Sequence, residues 1–260
     1  MKTRYPLILT FVPAFLLVSV AVSMWIYIQK PGEEKIGPLE GVVLLEEVAD
    51  DLHKLSEYVG KPGLEDEAGR SALRSVTAMV DGALGPENLG YEVHRTRGIG
   101  REGLLWPTLW LEVGGSEQGK AQDVMAVPQD DEGSAVAFAM ALAKHLAGRL
   151  SGGRVVLVFY PPVFSEEDLR AELAERVGAA DGARFLFLRS GEEKGAVLEV
   201  PAGEESVKVE SWRKAGVALS EREGGFTSLR LPRLDDGDYR SQAGRLIALL
   251  PVVAEYLEGE

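Results

Sequence analysis

Apolar positions recur along this chain at two periods, one helical and one extended, and the alternation between them sets the expected fold. From Leu39 to Tyr58 the residues Val42, Leu45, Val48, Leu52 and Leu55 fall three or four apart, which predicts an amphipathic helix. A second helix is predicted from Glu67 to Leu84, with Ala72, Val76, Met79, Val80 and Leu84 on its apolar side and Gly85-Pro86 as its stop. Strand-like segments follow at Tyr91–Arg97, Leu105–Val113 and Gln122–Val127. A helix from Asp131 to Leu150 is opened by acids and closed by Gly152-Gly153, and Arg154–Tyr160 (RVVLVFY) reads as a buried strand. After a charged amphipathic helix at Glu166–Val177 come strands at Ala183–Arg189, Ala196–Val200, Ser206–Val209 and Val217–Leu219. A closing helix spans Tyr239–Leu257, with Ala243, Leu246, Leu249, Leu250, Val253 and Tyr256 facing inward.

Helices alternating with near-continuous apolar strands imply a sheet covered on both faces. The expectation is one α/β domain over residues 39–260: three layers, with a mixed, largely parallel sheet between helices. Residues 30–38 (KPGEEKIGP) read as a linker. Before them, residues 5–29 carry no charge, and roughly 20 apolar residues suffice to cross the hydrocarbon core. Residues 1–29 are therefore expected to form a transmembrane anchor. Trp25 and Tyr27 stand at the headgroup end, and Lys2 and Arg4 hold the N-terminus in the cytoplasm. A cleaved signal peptide is the competing reading, with Ala21-Val22-Ser23 as the small-residue site, but the apolar run continues through Ile28. Either way the body is expected outside the cytoplasm.

Composition narrows the chemistry. The absence of Cys excludes disulfides, Cys-ligated zinc, iron–sulfur clusters and thiol catalysis. The chain holds 28 Lys and Arg against 41 Asp and Glu. Since Lys2, Arg4 and Lys30 are the only charges up to residue 30, the acidic excess belongs to the body, which argues against nucleic-acid binding.

The local motifs are mostly decoys. Gly98-Ile99-Gly100-Arg101-Glu102-Gly103 spells a dinucleotide fingerprint, yet the residues after it read as a strand, so a glycine-rich hairpin is the better account. His53, His94 and His145 are too far apart for a local metal motif. Asp130-Asp131-Glu132 lies where a strand turns into a helix, a place for capping and also for sites in α/β sheets. Asp235-Asp236-Gly237-Asp238 resembles half of a calcium loop, and a turn capping the last helix explains it better.

Taken in order, the body resembles the M28 zinc aminopeptidase family. Leu89-Gly90-Tyr91-Glu92-Val93 matches an early "LGYEV" phrase. Pro128-Gln129-Asp130-Asp131-Glu132-Gly133-Ser134-Ala135-Val136-Ala137, continuing into FAMALAKHLAG, is similar to "GADDNGSGVAALLELARAL". Gly153–Tyr160 resembles "RTVRFVFF", and Arg230–Asp235 echoes "HTPADT" before the final helix. The resemblance implies a two-zinc site built from an H-x-D motif, a bridging Asp, a Glu-Glu pair, a later acid and a late His. Only the bridging Asp has a counterpart, Asp130. No His lies between Trp110 and Asp130, Pro161-Pro162-Val163 stands where Glu-Glu should be, and the later acid and late His fall near Arg189 and Arg230.

A guanidinium is always charged and only donates, so such a set cannot hold a dinuclear zinc centre. The expectation is a vestigial cleft in which Arg189 or Arg230 pairs with Asp130 or Asp131, with no catalytic residue, metal ligand or cofactor assigned. The favoured function is a membrane-anchored, inactive M28-like domain that binds or scaffolds a protein or peptide. The alternative is an active zinc metallopeptidase with relocated ligands, drawn from Glu166, Glu167, Asp235, Asp236 and Asp238. A lectin-like or calcium-binding domain rests on the acidic clusters alone.

Overall fold

A computed structural model describes residues 18–20, 22, 41–97, 107–114, 121–129, 133–150, 154–161, 170–171, 174–175, 177, 179–191, 193, 195–202, 209–222, 226–233 and 237–258. The chain divides into Met1–Ile36 and Gly37–Glu260. In the first unit Val18, Ser19, Val20 and Val22 are helical, and the three valines are exposed. Among the described residues no helix is long and apolar enough to cross a membrane. Most of the expected anchor lies outside the described residues.

The second unit is built on one eight-stranded mixed sheet. Its strands are β1 (His94–Arg97), β2 (Pro107–Val113), β3 (Ala121–Pro128), β4 (Val155–Tyr160), β5 (Ala179–Ser190), β6 (Val197–Pro201), β7 (Ala218–Arg222) and β8 (Thr227–Leu231). Their spatial order is β1-β2-β4-β3-β5-β8-β6-β7. The central β4-β3-β5-β8 strands run parallel, as do β6 and β7, while β1-β2, β2-β4 and β8-β6 pair antiparallel. The glycine fingerprint at residues 98–103 therefore joins two antiparallel strands, with Arg97 opposite Pro107. The next described element after it is a strand, β2, as the hairpin reading expected.

Helices α1 (Leu45–His53), α2 (Glu67–Leu84), α3 (Ser134–Leu146) and α5 (Tyr239–Glu258) layer one face, and the short α4 (Val209–Lys214) joins them through buried Trp212. Helix α3 is the central one. Every residue from Ser134 to Ala143 is buried, which fits a run of small residues pressed on the sheet side and by α1, α2 and α5 on the other. On the opposite face Val124, Ala126, Val156, Val158, Phe185 and Phe187 form a second apolar cluster with Ala174 and Val177. Residues 170–171 and 174–175 are helical, so the described part of the expected Glu166–Val177 helix covers this face. Strand β4 is buried at all six positions because it has cover on both sides.

Three local expectations are corrected. The first helix is shorter than predicted, and its last turn, Lys54–Val59, is π-helical. Gly133 (φ 97°) precedes α3 so closely under this turn that a Cβ there would lie 2.7 Å from Leu55 Cβ. Val209, expected to end a strand, opens α4, whose Trp212 fills the core. Strand β8 was not anticipated, because its alternating TSLRL is short and half polar.

Candidate functional site

Four parallel strands end on the same edge of the sheet, at Pro128, Tyr160, Ser190 and Leu231. In open α/β sheets this edge is where sites assemble. Here the described backbone contacts hold the strand ends together. Gly191 N–H donates to the Leu231 carbonyl at 2.8 Å, and a Cβ on Gly191 would fall 2.4 Å from that oxygen, so β5 and β8 part only after a glycine. Beyond β3, the Gln129 N–H donates to Tyr160 O at 2.8 Å. The fully buried Gln129 carboxamide donates through Nε2 to Phe159 O at 3.0 Å and Pro107 O at 3.3 Å. On the helix side, the hydroxyl of buried Ser134, first residue of α3, meets the hydroxyl of Ser190.

Arg189 and Arg230 are brought side by side. They are register partners on β5 and β8. Leu188 and Leu229 face the helices, so alternation places both arginines on the other face of the sheet. Two like charges in register repel unless a counter-charge is near. Glu199, on the neighbouring β6, supplies it: Arg230 Nη2 donates to Glu199 Oε1, and Ser228 Oγ donates to Glu199 Oε2 at 2.7 Å. The Glu199 side chain is 14% exposed and that of Arg230 38%, so the pair is partly shielded from water. Arg230 Nε is buried without a hydrogen-bond partner among the described residues.

Among the described residues the ion-pair partner of Arg230 is Glu199. Asp130 and Asp131 themselves lie outside the described residues, as do Glu166, Glu167, Asp235 and Asp236. Sequence reasoning passed over Glu199, although an acid between Leu198 and Val200 in an otherwise apolar strand was the signal available. Asp238 is placed as expected: its Oδ1 accepts from Ser241 N–H at 3.1 Å and caps α5.

The histidines sit elsewhere. His94 stacks on Trp110 with ring centroids 4.0 Å apart, and His53 contacts the rings of Tyr58 and Tyr239. His145, on α3, has its pKa lowered by burial and by the nearby Arg149 charge. Among the described residues no three His, Asp or Glu side chains converge as a metal site. Zinc binding needs lone pairs directed inward, whereas Arg189 and Arg230 carry only donors and Gln129 aims its amide nitrogen at two backbone carbonyls. The described residues on this edge do not supply the donor set of the two-zinc chemistry implied by the M28 resemblance.

No family model matches the chain, and no curated protein matches it in sequence. Solved structures do. Glutaminyl cyclase from Fimbriiglobus ruber is similar with a TM-score of 0.57 at 14% identity, over 86% of this chain and 98% of that one. Glutaminyl cyclase from Porphyromonas gingivalis gives 0.54 at 14%, over 83% and 98%. A leucine aminopeptidase precursor from Bacteroides thetaiotaomicron gives 0.54 at 10%, over 86% and 99%. Identities this low establish the architecture alone, and it is the architecture expected from the motif order: the Gly37–Glu260 unit has an M28-like fold.

Proposed function

We propose that this chain is a membrane-anchored, catalytically inactive M28-like domain that acts outside the cytoplasm as a binding or scaffolding module. One observation carries the reading: on the strand edge that would hold the metals, Arg230 is committed to Glu199 beside Arg189. Metal-assisted hydrolysis draws its rate from the metal as Lewis acid and source of nucleophile, and guanidinium groups, which only donate, supply no lone pair to hold it. What such an edge retains is recognition. Arginines, with the acids at 130 and 131 close in sequence to β3, offer both signs of charge to a peptide terminus or a protein loop. The exposed valines at 18, 20 and 22 and the uncharged run at 5–29 support the anchor.

The test uses the full chain, purified, saturated with zinc and desalted, with metal content measured beside hydrolysis of leucine 4-nitroanilide and cyclisation of an N-terminal glutaminyl peptide. The expected result is substoichiometric zinc and no turnover in either assay. Stoichiometric zinc with turnover would overturn the proposal in favour of a metallopeptidase with relocated ligands.

A further inference from the structure

We propose that the cavity between α1, the C-terminal end of α2 and α3 is a second binding site, which takes an alkylammonium group on an apolar stem. The cavity encloses about 490 Å³, within the range of small-ligand pockets. Its lining lies several residues along α3 from Ser134, at Met140, Ala141 and Lys144, so it is separate from the strand edge. At about 1.5 Å per residue the separation along α3 is roughly 9–15 Å.

The walls are apolar, formed by Val48, Leu84, Leu89, Met140 and Ala141, with charged groups from α1 and α3 around them. Three of those charges are engaged in ion pairs, one of them with Lys54 of the following turn. Lys144 Nζ is bound to Glu47 Oε2, its stem laid across Gly41, where a Cβ would come 2.8 Å from Lys144 Cγ. Lys54 Nζ meets Asp50 Oδ2 at 2.5 Å. The Asp51 side chain makes no hydrogen bond or ion pair among the described residues. Burial pushes its carboxyl up to about 6, Asp50 and Glu47 push the same way, and Lys54 and Lys144 pull back. Near neutral pH the cavity therefore carries one partly desolvated carboxylate that no cation bonds directly, Lys54 and Lys144 acting on it only at a distance.

An ammonium group is the complement of that carboxylate. It supplies a charge-assisted hydrogen bond, and its methylene stem covers the apolar wall as a lysine stem does. A neutral ligand of the same shape gains only the second part, and an anion is repelled. The chemistry is shared by a free alkylamine and by a lysine side chain of a partner segment.

The experiment is methyl-resolved NMR of the full chain labelled at its five methionines, of which Met140 lines this cavity. Probes are n-butylamine, n-butanol as its uncharged isostere, and an end-blocked peptide with one lysine among alanines. At pH 8 we expect n-butylamine or the peptide to shift the Met140 methyl saturably, with n-butanol about tenfold weaker, the effect of one charged hydrogen bond. Asp51→Asn should reduce amine affinity about tenfold, and the wild type should approach the variant at pH 5. Ala83→Leu, which narrows the cavity beside Leu84 and leaves every charge in place, should weaken the shift. A shift with the peptide only would identify a partner's lysine as the occupant. If neither amine moves Met140, if butanol binds as well as butylamine, or if Asp51→Asn binds like wild type, the proposal is wrong.

Discussion

Asp123 and Asp51 are both carboxylates taken partly out of water, and the protein treats them in opposite ways. Asp123, early in β3, is 3% exposed and engaged by Arg184 of β5 through bonds of 2.7 and 3.0 Å. That guanidinium is itself held 5.2 Å from the Tyr256 ring of α5. Asp51, on α1, lines a cavity, and its neighbouring cations are already bound to other acids. Burial raises both carboxyls, but at Asp123 the Arg184 charge and hydrogen bonds oppose the rise. A buried acid with a counter-ion built into the adjacent strand is part of the scaffold. One whose local counter-ions are engaged elsewhere has the character of a binding group.

The contrast is sharpest where a counter-ion is removed. Arg184→Met should leave Asp123 buried and unpaired at neutral pH, and such losses are severe in protein interiors. Because the Arg184 side chain is 41% exposed, the expected destabilisation is about 2 kcal/mol, below the full buried-pair value. Urea unfolding at pH 7 measures it, and part of the loss should return at acid pH as Asp123 protonates. Should Arg184→Met be neutral, the distinction between the two acids would collapse.

Asp51 predicts the opposite sign. Its folded-state pKa, about 6, lies above the ordinary 3.8, so between those values the folded state binds the extra proton. The associated stability is fully present below about 3.8 and is lost as pH rises through about 6. Asp51→Asn, which resembles the protonated acid, should raise stability at pH 8 by about 1 kcal/mol, a figure reduced for solvent screening. It should change little at pH 4 and flatten the wild-type slope between. A destabilising effect at pH 8 would show that Asp51 has a structural partner after all.

Glu199 stands between these cases, shielded yet serving a half-exposed arginine. Glu199→Gln keeps an acceptor for Ser228 and removes the charge facing Arg230, so the expected loss is about 1 kcal/mol, read as a shift of the urea midpoint. A loss above that of Arg184→Met would reverse the order and make the strand edge, instead of the base of β3, the electrostatic keystone.

Much of the scaffold is legible from residue patterns because its elements are defined by local periodicity. Helix α2 has the predicted bounds, Glu67–Leu84, since Asp66 opens it by accepting from Gly69 N–H and Gly85-Pro86 closes it. The RVVLVFY run became β4, and the last helix begins at Tyr239 as expected. The failures occur where neighbours overrule period. Ser206–Val209 looked extended, but Trp212 draws Val209 into a helix by burying its ring beneath α5. The π-helical turn after α1 depends on its fit over Gly133, which no window of sequence contains.

The amino-acid sequence by itself determined the alternation of strands and helices and the order of motifs that resemble the M28 family. Those properties follow from side-chain type and spacing within a few residues. Only the tertiary structure decided that Arg189 and Arg230 are register partners, that Glu199 holds Arg230, and that Asp51 faces a cavity while Asp123 faces an arginine. Each depends on segments 31 to 93 residues apart in the chain, and the sheet's strand order and helix packing set those distances. Pairing energies between such groups depend on burial and separation, neither of which is a property of the linear chain.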